Sequence, residues 1–199
     1  MSEATPTRSV VLEMRDERRA MHDGYVFLDE KCLLLAGEML RQLERYDVLQ
    51  RAFATAFAAA IERLQEAIAR HGLHGLEVYP GVDPAQGTVA RTVRVLMGVP
   101  LQEAELARDV PPSAPALDAS PEAEACRRAF AAIASAAAPL AANSGNLARL
   151  SLEYKRSVRR ARALQDVLLP ELDRDVRDLE TRLEELEQED AIWMRHGRS

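Results

Sequence analysis

The feature that most narrows what this chain can become is a run of apolar residues spaced by threes and fours across residues 11–68. They are Val11, Met14, Met21, Tyr25, Leu28, Cys32, Leu35, Met39, Leu43, Tyr46, Leu49, Phe53, Phe57, Ile61, Leu64 and Ile68. An α-helix turns once in about 3.6 residues, so these steps trace one narrow stripe, and so narrow a stripe is buried by a single partner helix lying along it. No proline interrupts the sequence between Pro6 and Pro80. Gly24 costs only about 1 kcal/mol relative to alanine. The spacing therefore predicts a helix over residues 7–70, which at about 1.5 Å per residue would be roughly 95 Å long.

The other end of the chain repeats the pattern in Leu147, Leu150, Tyr154, Val158, Ala161, Leu164, Leu168, Leu172, Val176, Leu179, Leu183, Leu186 and Trp193. Ser120, Pro121 and Glu122 read as a cap, a proline at the first helical position and an acidic first turn. A second helix is expected over residues 121–199, kinked at Pro170 and broken near Pro139, Asn143, Ser144 and Gly145, because an interior proline removes a backbone hydrogen bond and crowds the preceding turn. Residues 71–120 form the cap between the helices. Leu76, Glu77, Val78 and Tyr79 make one β-prone run and Thr92 to Leu96 another, with Pro80, Gly81, Pro84 and Gly87 between them, so a small β-hairpin or an irregular cap is expected, followed by a proline-rich loop up to Ser120.

Two long helices joined by a short cap should fold back antiparallel, and paired positions then have numbers that sum to about 190 to 200. That register sets the Ala-rich residues 53–61 against the Ala-rich residues 131–142, and sets Arg8, Arg15, Arg18 and Arg19 against Glu184, Glu185, Glu187, Glu189 and Asp190. A seven-residue repeat implies a left-handed supercoil. The expected fold is all-α: a long antiparallel two-helix left-handed coiled coil made from the N- and C-terminal helices, with a small cap in the middle.

Composition agrees, since 47% of the 199 residues are hydrophobic but only 5% aromatic, leaving little material for a conventional large core. The net charge of −6 argues against nucleic acid as the main partner. Cys32 and Cys126 form no CxxC pair and suit a reducing compartment as helix-packing residues. The first ten residues hold no apolar leader, and no stretch reaches the roughly 18 apolar residues that span a bilayer, so no direct membrane insertion is expected.

The motifs of catalysis are missing: there is no GxxxxGK[ST], GxGxxG after a strand, HExxH or GxSxG. His71 and His74 have no cysteine or carboxylate cluster beside them and read as helix-end residues. No catalytic, cofactor or metal residue is expected. Lys155, Arg156, Arg159, Arg160 and Arg162 form a basic run whose helical spacing places Arg156, Arg159 and Arg160 on one side, either as a solvated face or as a docking surface for phosphate or an acidic protein.

The ends and the cap together resemble the D subunit, the central rotor shaft, of the V-type and A-type rotary ATPases and ATP synthases. Pro6-Thr7-Arg8 with Gly24, Leu28 and Lys31 looks like the opening helix of that family. Residues 155–164, Lys-Arg-Ser-Val-Arg-Arg-Ala-Arg-Ala-Leu, resemble its Lys-Thr-x-Arg-Arg-Val-Asn-Ala-Leu segment. The likeness continues through Val167-Leu168-Leu169-Pro170-Glu171-Leu172 and Arg182-Leu183-Glu184-Glu185-Leu186-Glu187, and Met97-Gly98-Val99-Pro100 looks like its Met-Gly-Val and Pro elements.

The resemblance implies a non-catalytic shaft without cofactor, turning inside a hexamer of A and B subunits, with an F subunit on its side and a C subunit (also called d) at its foot. Such a shaft is cytoplasmic and peripheral to the membrane through its complex. By position, it makes Thr7, Arg8, Lys155, Arg156, Arg159, Arg160, Leu183 and Leu186 candidates for partner contact. A non-rotary coiled-coil adaptor or scaffold is the alternative. A membrane-surface or nucleic-acid module using the basic run is a second, opposed by the acidic total charge.

Overall fold

A computed structural model describes residues 7–77, 79, 88–107, 116 and 119–196. Its elements are the helix α1 (Arg8–Glu77), the strands β1 (Thr88–Leu96) and β2 (Val99–Ala107), the helix α2 (Pro121–Ala163), a π turn (Leu164–Leu168) and the helix α3 (Leu169–His196). The chain divides into two compact units, one joining the N-terminal residues through Leu34 to those from Tyr154 onward, the other running from Leu35 to Glu153.

In the first unit the opening of α1 runs antiparallel to the end of the chain. Thr7 caps α1: its Oγ1 accepts from the Val10 amide at 3.4 Å and its carbonyl from the Val11 amide at 3.1 Å. The direction of pairing is set by three ion pairs, Arg8 with Glu187, Arg15 with Glu180 and Arg18 with Asp173, whose partners descend as the arginines ascend. These lie on the predicted register. They replace part of the predicted list, however, because Glu180 and Asp173 sit before the acidic run, and every residue from Glu184 to Asp190 is exposed. Val11, Ser157, Ala161 and Val176 are buried between the helices.

Pro170 does not simply bend its helix. It is preceded by a π turn in which the Leu169 amide reaches back five residues to the Leu164 carbonyl. A proline lacks an N–H, and its ring crowds the carbonyl four residues earlier; one widened turn relieves that crowding. Pro139 behaves differently again. The expected break is absent, and α2 passes through Pro139 and Gly145 as one helix. Alanine flanks with high helix propensity and downstream residues anchored by tertiary hydrogen bonds outweigh a proline cost of about 3 kcal/mol.

The second unit contains the rest of α1, the hairpin and the first part of α2. The start of α2 matches the sequence reading: Ser120 Oγ accepts from the Ala123 amide at 3.1 Å, Pro121 follows, and Glu122 and Glu124 fill the first turn. Gly72, with φ 67°, interrupts the helical geometry of α1 close to its expected end. Leu76 and Glu77 lie in α1, so the first β-prone run is not a strand, and Pro80, Gly81, Pro84 and Gly87 lie outside the described residues. The hairpin is built instead by Thr88–Leu96 and Val99–Ala107 around a two-residue turn, Met97 and Gly98, with φ 48° and 83°. Positive φ at both central residues is the turn whose twist matches paired strands, and glycine supplies the second at no steric cost.

Small side chains are buried on both helices of this unit: Ala60 and Ala67 on α1, Ala123 and Cys126 on α2. Larger apolar residues anchor its other end, with Leu35, Val99, Leu101 and Leu150 all nearly inaccessible. Two members of the predicted stripe, Leu43 and Phe57, are about half exposed, while Glu38 and Gln42 take buried places beside it.

Candidate functional site

Among the described residues no group of three or more His, Cys, Asp or Glu side chains could hold a metal ion, and no helix is long and apolar enough to cross a membrane. Burial pushes the thiols of Cys126 and, with help from Asp29, of Cys32 above the ordinary range, which makes both poor nucleophiles at neutral pH. His71 is engaged at the helix ends as expected: its Nε2 lies 2.6 Å from Ser120 Oγ, and its ring stands beside Tyr79. The Tyr79 hydroxyl donates to Glu124 at 3.2 Å.

Most of the second unit's specific geometry lies where the hairpin meets the helices. Glu38 on α1 is 3% exposed, and its carboxylate accepts from Arg41 at 2.7 and 3.0 Å, from Gln42 at 2.8 Å, and from Arg94 on β1. Burial, the largest influence, raises its pKa, but the donors from Arg41, Gln42 and Arg94 outweigh it and hold the carboxyl below the ordinary carboxylate range. Gln42 in turn accepts from Asn143 at 2.7 Å. Asn146 acts as a substitute strand: its side-chain amide donates to the Gln102 carbonyl at 2.8 Å and accepts from the Gln102 amide at 2.8 Å. Arg149 donates to Asn146 at 2.6 Å and to the Pro100 carbonyl at 2.9 Å, and Arg45 pairs with Glu103 at 2.6 Å. The result is a polar clamp that ties β1 and β2 to α1 on one side and α2 on the other.

Sequence reasoning missed this clamp. From residue 143 to its end, α2 buries Asn143, Asn146, Leu150, Ser157 and Ala161, so the expected Leu150 and Ala161 share the seam with polar residues, while Leu147, Tyr154 and Val158 of the expected stripe are only half-buried. One signal was available. Glu38 with Gln42, and Asn143 with Asn146, are polar pairs at helical spacing beside apolar residues.

The predicted contact residues fall in two places. Thr7 is exposed at the helix cap. Arg8 pairs with Glu187 at 2.8 Å and, with Leu12 and the half-buried Leu183, lines an open groove of about 360 Å³. Leu186 is 42% exposed. A second open groove, of about 480 Å³, is lined by Arg15, Arg18, Arg19, His22, Asp173 and Arg177. Lys155, Arg156, Arg159 and Arg160 are exposed on α2, with Ser157 and Ala161 buried on its other side. The structure therefore groups Arg8 with Leu183, and leaves the basic run as a separate solvent-facing stripe.

Antiparallel helices with an inserted hairpin, charged stripes and a polar clamp define a helical shaft or interaction protein. The sequence model of the ATP synthase D-subunit family matches residues 10–196. The D subunit of the V-type ATP synthase of Anaeromyxobacter dehalogenans is 30% identical over 209 residues, covering 100% of this chain and 97% of the relative. The corresponding protein of Thermotoga neapolitana is 24% identical over 193 residues, covering 96% and 94%, and that of Thermus thermophilus is 28% identical over 209 residues, covering 98% and 87%. This chain belongs to the ATP synthase D-subunit family.

Proposed function

We propose that this chain is the central-stalk rotor subunit of a V/A-type rotary ATPase or ATP synthase, a non-catalytic part that transmits torque between a nucleotide-hydrolysing ring and an ion-translocating membrane sector. The observation that carries this reading is the match to the D-subunit family across residues 10–196, nearly the whole chain. Antiparallel helical pairing supports it, because a shaft has to resist torsion along its length and a paired seam supplies that resistance. Ring sites at different rotational angles then meet different surfaces of one asymmetric shaft, and such differential contact is what biases their conformations.

The partners that follow from this reading are the A and B subunits of the hexamer, an F subunit, and a C (or d) subunit at the foot, in the cytoplasm at the membrane surface. On this reading Thr7, Arg8, Leu183 and Leu186 are the candidates for contact with the ring, and Lys155, Arg156, Arg159 and Arg160 those for contact with an acidic surface of a stalk partner. Affinity capture with the tagged full chain in its own host is the direct test. Recovery of an A/B hexamer with an F-like subunit is expected, and capture without them would refute the rotor reading.

A further inference from the structure

The hairpin turn determines which backbone groups of each strand are already used. Leu96 and Val99 close the two-residue turn, and in such a hairpin the closing pair exchanges hydrogen bonds while the next pair turns its N–H and C=O groups outward. Counting back, Val95, Val93, Arg91 and Val89 face outward on β1, opposite Pro100, Gln102, Ala104 and Leu106 on β2. The clamp supports this count, since Arg149 and Asn146 bond the carbonyls of Pro100 and Gln102, two of the outward positions. The edge of β2 is thus occupied there by side chains of α2. The sheet has two strands, so no described strand lies beside the edge of β1.

That edge is long, rich in β-branched residues and open. Val89, Val93 and Val95 are 50%, 59% and 69% exposed. Proteins usually blunt such edges with proline, lysine or inward charge, because an open edge is a template for another strand. β1 has no proline and no acidic residue, only Arg91 and Arg94, and Arg94 is turned to Glu38. Arg91 is left as the charge on the outward-facing row.

We propose that β1 accepts an added strand from a different protein chain, an extended acidic segment whose carboxylate lies opposite Arg91. A second copy of this chain fits less well. A self-pairing that uses all four outward positions brings the two Arg91 side chains to neighbouring diagonal positions on one face, with no carboxylate from either strand to separate them. The clamp then has a specific use: it blocks β2 and holds β1 presented. The proposal does not depend on the rotor reading.

Residue-resolved amide exchange tests it, comparing the isolated full chain with the assembly that the tagged full chain carries out of its own host. The expected result is an alternating pattern, with amides of Val89, Arg91 and Val93 slowed at least 100-fold in the assembly and those of Ala90, Thr92 and Arg94, already bonded to β2, unchanged. Equal slowing of both sets, or none, overturns the proposal. Concentration-dependent slowing in the isolated chain would assign the edge to a second copy and overturn the stated partner. Val93→Pro removes one outward N–H without touching the hairpin ladder and should weaken the captured partner at least tenfold, whereas Val93→Thr should not. Undiminished capture by Val93→Pro, with the Gln102 amide still protected as proof of a folded hairpin, also overturns it. An assembly that retains A and B subunits but leaves the β1 edge unprotected sinks this proposal and leaves the rotor reading standing.

Discussion

The two units use one helical period to make different kinds of seam. In the first, the buried residues are few and small or apolar, and the visible specificity lies in exposed arginine–carboxylate pairs between antiparallel helices. Pairs of that kind are worth only about 0.2–1 kcal/mol each, so they select register more than they supply stability. In the second, a buried carboxylate and two asparagines take seam positions: Glu38 and Asn146 reach out to the hairpin, and Asn143 donates to Gln42 on α1. Buried polar groups are costly unless satisfied, and once satisfied they specify one arrangement. The seam positions that bond the hairpin, Glu38 and Asn146, are thus polar and hold a third element at a defined place, while small side chains, Ser157 among them, and apolar ones suffice where only two helices meet.

The largest expected effect that separates the units is in the second. Leu150, fully buried, should lose roughly 2–5 kcal/mol on truncation in Leu150→Ala, read as a drop in the chemical-denaturation midpoint. Asn146→Leu keeps the branched shape of the side chain but leaves the Gln102 amide and carbonyl without their side-chain partner. A loss of about 1–3 kcal/mol is expected, with faster exchange of the Gln102 amide while the first unit's amides stay unchanged. Uniform exchange across both units would break the comparison.

Leu183→Asp probes the first unit. A charge placed in a half-buried seam position should fray the terminal pairing of α1 and α3 and cost about 1–2 kcal/mol locally. In the rotor it should reduce coupling of ATP hydrolysis to ion flow more than hydrolysis itself, and equal loss of both would count against the shaft role. Acid sensitivity should be concentrated in the clamp. The folded pKa of Glu38 is depressed, so its contribution is fully present above the unfolded-state value and is lost as pH falls through the folded one. Glu103, held down by Arg45, has the same sign. Glu38→Gln should therefore flatten the pH dependence of hairpin exchange below the ordinary carboxylate range. The smallest effect is Arg8→Ala, which removes an exposed pair and should change stability by less than about 0.5 kcal/mol, with that change shrinking further at high salt.

Legibility in the sequence followed the physics of each feature. Helical periodicity is local and repeats many times, so the two long helices, their antiparallel register and the Ser120-Pro121 start could all be read from residue type and spacing. Strand placement was half read. Thr92 to Leu96 is β-prone, but the partner strand contains Pro100, Glu103 and Glu105 and carries weak intrinsic preference, so its pairing depends on the Met97–Gly98 turn and on Asn146. The clamp was not read, because Glu38 and Asn146 lie 108 positions apart in the chain and each alone looks like an ordinary polar residue of a helix surface.

By itself the sequence determined that this chain forms paired helices from its two ends, the direction in which they pair, and the family to which its motifs belong. Only the tertiary structure decided which polar residues are buried, how Pro139 and Pro170 are accommodated, and which strand edge stays open. The reason is physical: a period of three and four residues is set by backbone geometry and repeats in every turn, whereas the burial of Glu38, the substitute-strand bonds of Asn146 and the exposure of β1 each depend on groups that the fold alone brings within hydrogen-bond distance.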